Sequence, residues 1–196
     1  MVRRMLGTTV AFAALAIAQP ALAAETYVFD KAHTNIQFSW DHFGFSTTSA
    51  EFEEFSGELQ FDPEDHANSS VEVTIDLDSV DSGFDTFNGH LTEKPEWFNT
   101  DEYPEATFTS TGIEPVGDNR LHVTGDLTLK GVTKEVTLDT TINKIGQHPV
   151  TNAKTIGFDA TTTVSRSAFN MGKYAPSVSD EVTISISSEM QRESDL

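Results

Sequence analysis

The sequence predicts an all-β protein, an antiparallel sheet of about eight strands closed around an interior, with one short helical insertion near residues 82–99. Three observations lead there. Apolar and polar residues alternate with a period of two in segment after segment between residues 26 and 189, which gives each strand a dry face and a wet one. Those segments are rich in Thr, Val and Phe, which suit a pleated, half-buried surface. Only the stretch 82–99 abandons that period. A sheet with one dry face must cover it, and closing the sheet on itself does so without leaving an edge.

Each element follows from its own pattern. Ile36, Phe38 and Trp40 alternate with Gln37, Ser39 and Asp41. Phe55, Gly57, Leu59 and Phe61 form a second dry row, ended by the turn Asp62-Pro63. Val71, Val73, Ile75 and Leu77 make a third. The insertion comes next, with Phe84, Phe87 and Leu91 at i, i+3 and i+7 on one face of a helix that Pro95 stops before Trp97-Phe98. It is expected to cap or gate one end of the barrel, or to plug its core. Ala106, Phe108 and Ser110 resume the strands. The clearest unit is 121–142: Leu121, Val123, Gly125, Leu127 and Leu129 run to a tight turn at Lys130-Gly131, and Val136, Leu138, Thr140 and Ile142 return. Ile156 to Val164 and Val182 to Ile186 complete the set.

The N-terminus predicts export. Arg3 and Arg4 precede an uncharged apolar run from Met5 to Ala18, then Gln19-Pro20, then Ala21-Leu22-Ala23. This is the form of a cleavable signal peptide covering residues 1–23, which leaves 24–196 as one domain bound for the periplasm. No later apolar run is long enough to span a bilayer. The chain has no cysteine, so neither disulfides nor a thiolate site contribute.

Charge narrows the partners. With Arg3 and Arg4 set aside, ten Lys and Arg face 31 Asp and Glu, and residues 25–114 hold only Lys31 and Lys94 as cations. Such a surface repels phosphate, so nucleic acid is not an expected partner. Six histidines, His33, His42, His66, His90, His122 and His148, lack metal-ligand spacing. His33 and His42 are expected to hydrogen-bond at strand ends. No GxSxG elbow, phosphate-binding loop or cofactor motif occurs. No catalytic set, metal or cofactor is therefore expected, and binding is preferred to an enzyme acting on a lipophilic substrate or a structural module.

Several segments resemble the YceI-like family of periplasmic lipid-binding proteins. They are His33-Thr34-Asn35-Ile36-Gln37-Phe38, His42-Phe43-Gly44-Phe45-Ser46, Phe52 to Gly57, His90-Leu91, Trp97-Phe98-Asn99 and Tyr103 to Ser110. Gly125 to Thr133, Ser165 to Gly172 and Asp180-Glu181-Val182 continue the series. The resemblance implies an extended lipocalin-like barrel whose elongated cavity holds a polyisoprenoid or fatty lipid, often in a homodimer. One departure is Phe87-Asn88-Gly89, where the family commonly has a charged segment. Shared parity points Phe38, Trp40, Phe55, Ile75, Leu77, Phe108, Leu127 and Leu129 into that cavity. Phe84, Phe87, Leu91, Trp97 and Phe98 join from the insertion, and Phe169 and Met171 from the C-terminal half. Arg166, with Lys173 nearby, is expected either to face a charged head group or to pair with a carboxylate.

Overall fold

The computed structural model describes residues 24–196; residues 1–23, expected to form a signal peptide, lie outside the described residues. The strands are β1 (Glu25–Phe29), β2 (Asn35–His42), β3 (Ser46–Phe52), β4 (Phe55–Phe61), β5 (Ser70–Asp76) and β6 (Val80–Asp81). After one helix, α1 (Asp85–Glu93), come β7 (Glu105–Pro115), β8 (Arg120–Leu129), β9 (Val132–Gln147), β10 (Lys154–Ser165) and β11 (Glu181–Arg192). All pairings are antiparallel. The order β1-β4-β5-β7-β8-β9-β10-β11 closes on itself because β1 also pairs with β11. This is the eight-stranded closed barrel.

The surplus of ladder segments over strand paths comes from kinks. β11 pairs with β1 through Met190 to Arg192 and with β2 through Thr183 to Ser187, so β1 and β2 are two halves of one path. Asp30 breaks it: its carboxylate accepts from the Ala32 amide at 3.1 Å and caps a single turn of 3₁₀ helix, an alternative the backbone takes where Asp offers it. Asp76 does the same between β5 and β6, accepting from the Asp78 amide at 2.9 Å. β3 and β4 are likewise halves of one path, separated by Glu53 and Glu54.

These breaks make the two ends of the barrel different. At the lower end the strands pair with one another all the way around the ring, with register shifts at Ser110/Gly112 and Gly157/Phe158. At the upper end β2, β3 and β6 pair in turn, and no further strand pairs with β6. The segment 85–104 fills that space instead. The Phe98 amide donates to the Leu91 carbonyl at 3.0 Å, the Thr100 amide to Thr92 at 2.8 Å, and the Leu77 amide to Pro104 at 2.9 Å. Asn88 anchors α1: its Oδ1 accepts from the Ser82 amide at 2.8 Å and its Nδ2 donates to Asp81 at 3.0 Å. A neutral amide thus stands where the family resemblance led one to look for charge.

Candidate ligand cavity

Inward residues of the eight strand paths leave two adjoining spaces. The upper chamber is about 520 Å³ and the lower about 150 Å³. Ile36, Ile75, Leu127 and Ile184 border both, forming a waist. Many inward side chains, among them Val73, Leu127, Val136, Leu138 and Ile184, are only half-buried. They face the interior, so what they are exposed to is the cavity itself. Packing limits explain the lower chamber's small size, for Phe108, Phe61 and Tyr27 fill much of the barrel there. Gly125 admits the Phe108 ring: a Cβ at that position would lie 2.5 Å from Phe108 Cζ and 2.6 Å from the Thr109 carbonyl oxygen.

The upper chamber is aromatic. Phe38 stacks on Trp40 at 5.6 Å and on Phe52 at 5.1 Å, with Phe98 edge-on to it at 5.9 Å. Phe87 approaches Trp40 at 6.1 Å. The chamber's border includes the exposed residues His42, Phe43, His90, Lys94 and Tyr174, whereas the lower chamber is bordered by none. The cavity therefore opens at the upper end.

Of the residues expected to line the cavity, Phe38, Trp40, Ile75, Leu77, Phe87, Leu91, Trp97 and Phe98 border the upper chamber, as do Leu127, Leu129, Phe169, Met171 and Arg166. Phe108 borders the lower one. Two expectations fail. Phe55 is buried but borders neither chamber; it packs edge-on against Phe29 at 5.3 Å, at the kink where β3 becomes β4. Phe84 is 66 % exposed because it precedes α1 with extended backbone, so the helical spacing that put it beside Phe87 does not apply. The pattern also left unassigned the lower lining from β4, β9, β10 and β11, such as Leu59, Val136, Phe158 and Met190, although its parity was legible.

Three cations fasten the loops around the opening. Arg166 is 5 % exposed, and its guanidinium donates to three backbone carbonyls: Ser179 at 2.7 Å, Val178 at 2.8 Å, and Met171. Its plane lies over Trp97 at 5.3 Å. The expected carboxylate pairing is not what is found: Asp180 instead accepts from the Ser165 and Ser167 hydroxyls and from the Ser167 amide at 2.9 Å. Burial pushes the Arg166 pKa down, with the Asp180 charge opposing. Lys130, at the β8–β9 turn, is buried too, and its ammonium donates to the carbonyls of Pro95 and Asn170. Desolvation likewise lowers its pKa. Lys173 pairs with Glu96, which holds that carboxyl below its usual range. Backbone carbonyls of the mouth loops thus take the place that strand partners hold elsewhere.

His33 braces the β1–β2 kink, its Nδ1 lying 2.9 Å from Asp30 Oδ2. Asp30, His33 and Glu189 bring donor atoms within 4.8 Å of one another. Asp30 is already engaged by the Ala32 amide, by His33 and by Gln191 at 2.9 Å, so the group reads as a structural brace.

Known proteins share both the sequence and this architecture. The YceI-like domain family matches residues 27–190. Protein YceI of Escherichia coli is 37 % identical over 191 residues, covering 96 % of this chain and 97 % of that one. The chain belongs to the YceI-like family. Among solved structures, Burkholderia cenocepacia BcnA superposes with a TM-score of 0.74 at 34 % identity, over 82 % of this chain and 98 % of that one. A polyisoprenoid binding domain from Saccharophagus degradans shares the fold at 17 % identity and a TM-score of 0.66, over 86 % of this chain and 99 % of that one.

In this YceI-like chain four of the segments that carry the resemblance reach the opening. His42 to Ser46 is the β2–β3 turn, Trp97 to Asn99 the segment after α1, Gly125 to Thr133 the β8–β9 hairpin, and Ser165 to Gly172 the loop before β11. Lys130 was missed because a lysine beside glycine in a tight turn reads as a solvated charge. Only the approach of residues 94–98 and 170 buries it.

Proposed function

We propose that this protein binds a long-chain amphiphilic lipid, a polyisoprenoid or a fatty chain, as a carrier or sequestering protein in the periplasm. The observation that carries the reading is a pair of adjoining apolar chambers inside the barrel, an aromatic upper one and a smaller lower one, that share Ile36, Ile75, Leu127 and Ile184 as a waist. Its size is that of a ligand site, commonly about 300 to 1,000 Å³. Each methylene removed from water stabilises a complex by about 0.8 kcal/mol, so a tail through the waist has ample affinity. The description of the Saccharophagus degradans neighbour as polyisoprenoid binding supports the same class of guest. Export rests on the N-terminal signal pattern. Among the described residues no helix is long and apolar enough to cross a membrane.

Binding is favoured over catalysis by where titratable groups lie. His42, His90, Lys94, Glu96 and Arg166 border the upper chamber at its opening, and His66 is the single titratable residue bordering the lower one. A guest's chain would therefore meet hydrocarbon, not acid–base groups. The test is organic extraction and mass spectrometry of protein purified from the periplasm of a Gram-negative host. A long-chain lipid recovered near one per chain is expected. Folded protein that yields no lipid and takes up no added polyprenol overturns the reading. Leu127→Trp, which fills the waist, is expected to retain short-chain guests and reject long ones.

A further inference from the structure

The two loops that frame the opening carry a group of exposed aromatic side chains. Phe45 is 90 % exposed, Tyr174 57 % and Phe43 49 %. Phe43 and Phe45 belong to the β2–β3 turn, and Tyr174 to the loop between residues 170 and 179. The loops are fastened together: the Phe43 amide donates to the Ser177 carbonyl at 3.0 Å, and His42 forms an antiparallel bridge with Val178. Tyr174 lies 6.5 Å from Trp97, and both it and Phe43 border the opening itself. They form one apolar lip.

Two further properties set the lip apart. Phe43 and Tyr174 hold left-handed backbone, at φ 57° and 65°, a conformation costly for bulky residues and found where a structure over-determines it for use. Residues 42–46 and 170–179 contain Lys173 and no Asp or Glu, in a chain with 31 acids. The charged neighbours are committed elsewhere: Asp41 accepts from the Gly44 amide at 2.7 Å, Glu96 pairs with Lys173, and Asp180 serves Ser165 and Ser167. Exposed Val116 and Val150 lie on turns at the opposite end of the barrel, away from the opening.

We propose that this lip is a membrane-docking surface, with Phe43, Phe45 and Tyr174 entering the headgroup and acyl boundary of a bilayer so that the cavity opens directly into it. The inference rests on the lipid-binding reading. A water-insoluble chain must pass from its reservoir to the cavity without crossing water, and this is the face where the cavity opens. Tyr174, a ring with a polar handle, is the kind of side chain that settles at that boundary, and the plain rings of Phe43 and Phe45 suit its acyl side. The acidic remainder of the surface is repelled by anionic headgroups, whereas residues 42–46 and 170–179 carry no carboxylate of their own and the adjoining Glu96 is neutralised by Lys173. Docking by the lip predicts an orientation as well as an affinity.

The experiment uses the mature chain with phosphatidylcholine vesicles, read by flotation and by quenching of Trp97 fluorescence with brominated phosphatidylcholine. Trp40→Phe removes the second indole. Wild type is expected to float and to be quenched. Phe45→Ser should lower vesicle binding on the order of 10-fold, the scale of one withdrawn phenylalanine, while Val150→Ser, at an exposed apolar residue on the opposite end of the barrel, leaves it unchanged. Equilibrium uptake of a polyprenol delivered from ethanol should survive Phe45→Ser, and its transfer from vesicles should slow. Absence of flotation by wild type, or equal losses in Phe45→Ser and Val150→Ser, overturns the proposal. So does sedimentation showing a dimer that Phe45→Ser dissociates without change in vesicle binding, since the lip is then a contact between copies. Failure of polyprenol uptake by every variant, with flotation intact, would instead overturn the lipid-binding reading and leave docking standing.

Discussion

The lower half of the barrel and its upper end are built from the same alternating strands, yet different interactions hold them. Below the waist every strand pairs with a neighbour around the ring, with register shifts only at Ser110/Gly112 and Gly157/Phe158, and Tyr27, Phe61, Ile156 and Met190 pack a small chamber. Above it the ladder stops at β6, and α1, two loops and two buried cations complete the wall. Five of the six non-glycine residues with positive φ among the described residues, Phe43, Asn99, Lys130, Asn170 and Tyr174, lie at this end. The difference separates tasks: a rigid cup for an apolar chain, and an irregular mouth whose side chains determine what enters.

The largest expected effect would test whether the mouth depends on side chains. Arg166→Met removes a cation and strands three buried carbonyls, at a cost of about 3–5 kcal/mol. Hydrogen exchange should show protection lost first in residues 94–100 and 166–179 while β9 and β10 remain protected. Uniform loss throughout the barrel would erase the distinction drawn between the ends. Gly125→Ala probes the lower half instead. The clash with Phe108 and the Thr109 carbonyl should cost about 1–3 kcal/mol, measured by urea unfolding, with exchange rising in β7 and β8 rather than at the mouth.

Acid should weaken both ends together. Glu25 is held below its ordinary 4.5 chiefly by the hydrogen bond from Lys154. Asp30 is held below 3.8 by His33, and Asp180 below 3.8 by Ser165. A carboxylate whose folded pKa is depressed binds fewer protons folded than unfolded, so its stabilisation is complete above the unfolded value and is lost as pH falls through the folded one. Melting temperature is expected to hold down to about pH 5 and to fall below about pH 4. Glu25→Gln and Asp180→Asn should each flatten that fall. The smallest effect sharpens the boundary of α1: Phe84→Ser should change stability by less than about 0.5 kcal/mol, whereas Phe87→Ser, which borders the cavity, should cost more and alter guest uptake.

Much of the barrel was legible because alternation is a local property. Leu121 to Ile142 declared a hairpin, and the structure pairs Val123 with Leu138 and Gly125 with Val136 in that register. Parity likewise placed Ile75, Phe108 and Leu127 on the inner face. Phe55 had the correct parity and still borders neither chamber, because the kink at Glu53 and Glu54 turns its ring toward Phe29. Phe84 had the correct helical spacing and still lies outside the helix. Both errors arise where an element ends, where spacing along the chain no longer determines direction.

The sequence by itself determined the all-β class, the closure into about eight strand paths, the short helix and most of the inner face. Those follow from period and side-chain volume, which act between near neighbours. Only the tertiary structure decided that Lys130 is buried, that Arg166 spends its donors on carbonyls rather than on a carboxylate, and that the cavity narrows at Ile36, Ile75, Leu127 and Ile184. Each of these depends on segments far apart in the chain meeting at one place. A carbonyl acceptor leaves no mark in the sequence, since every residue carries one, and a void is defined by the residues that fail to fill it.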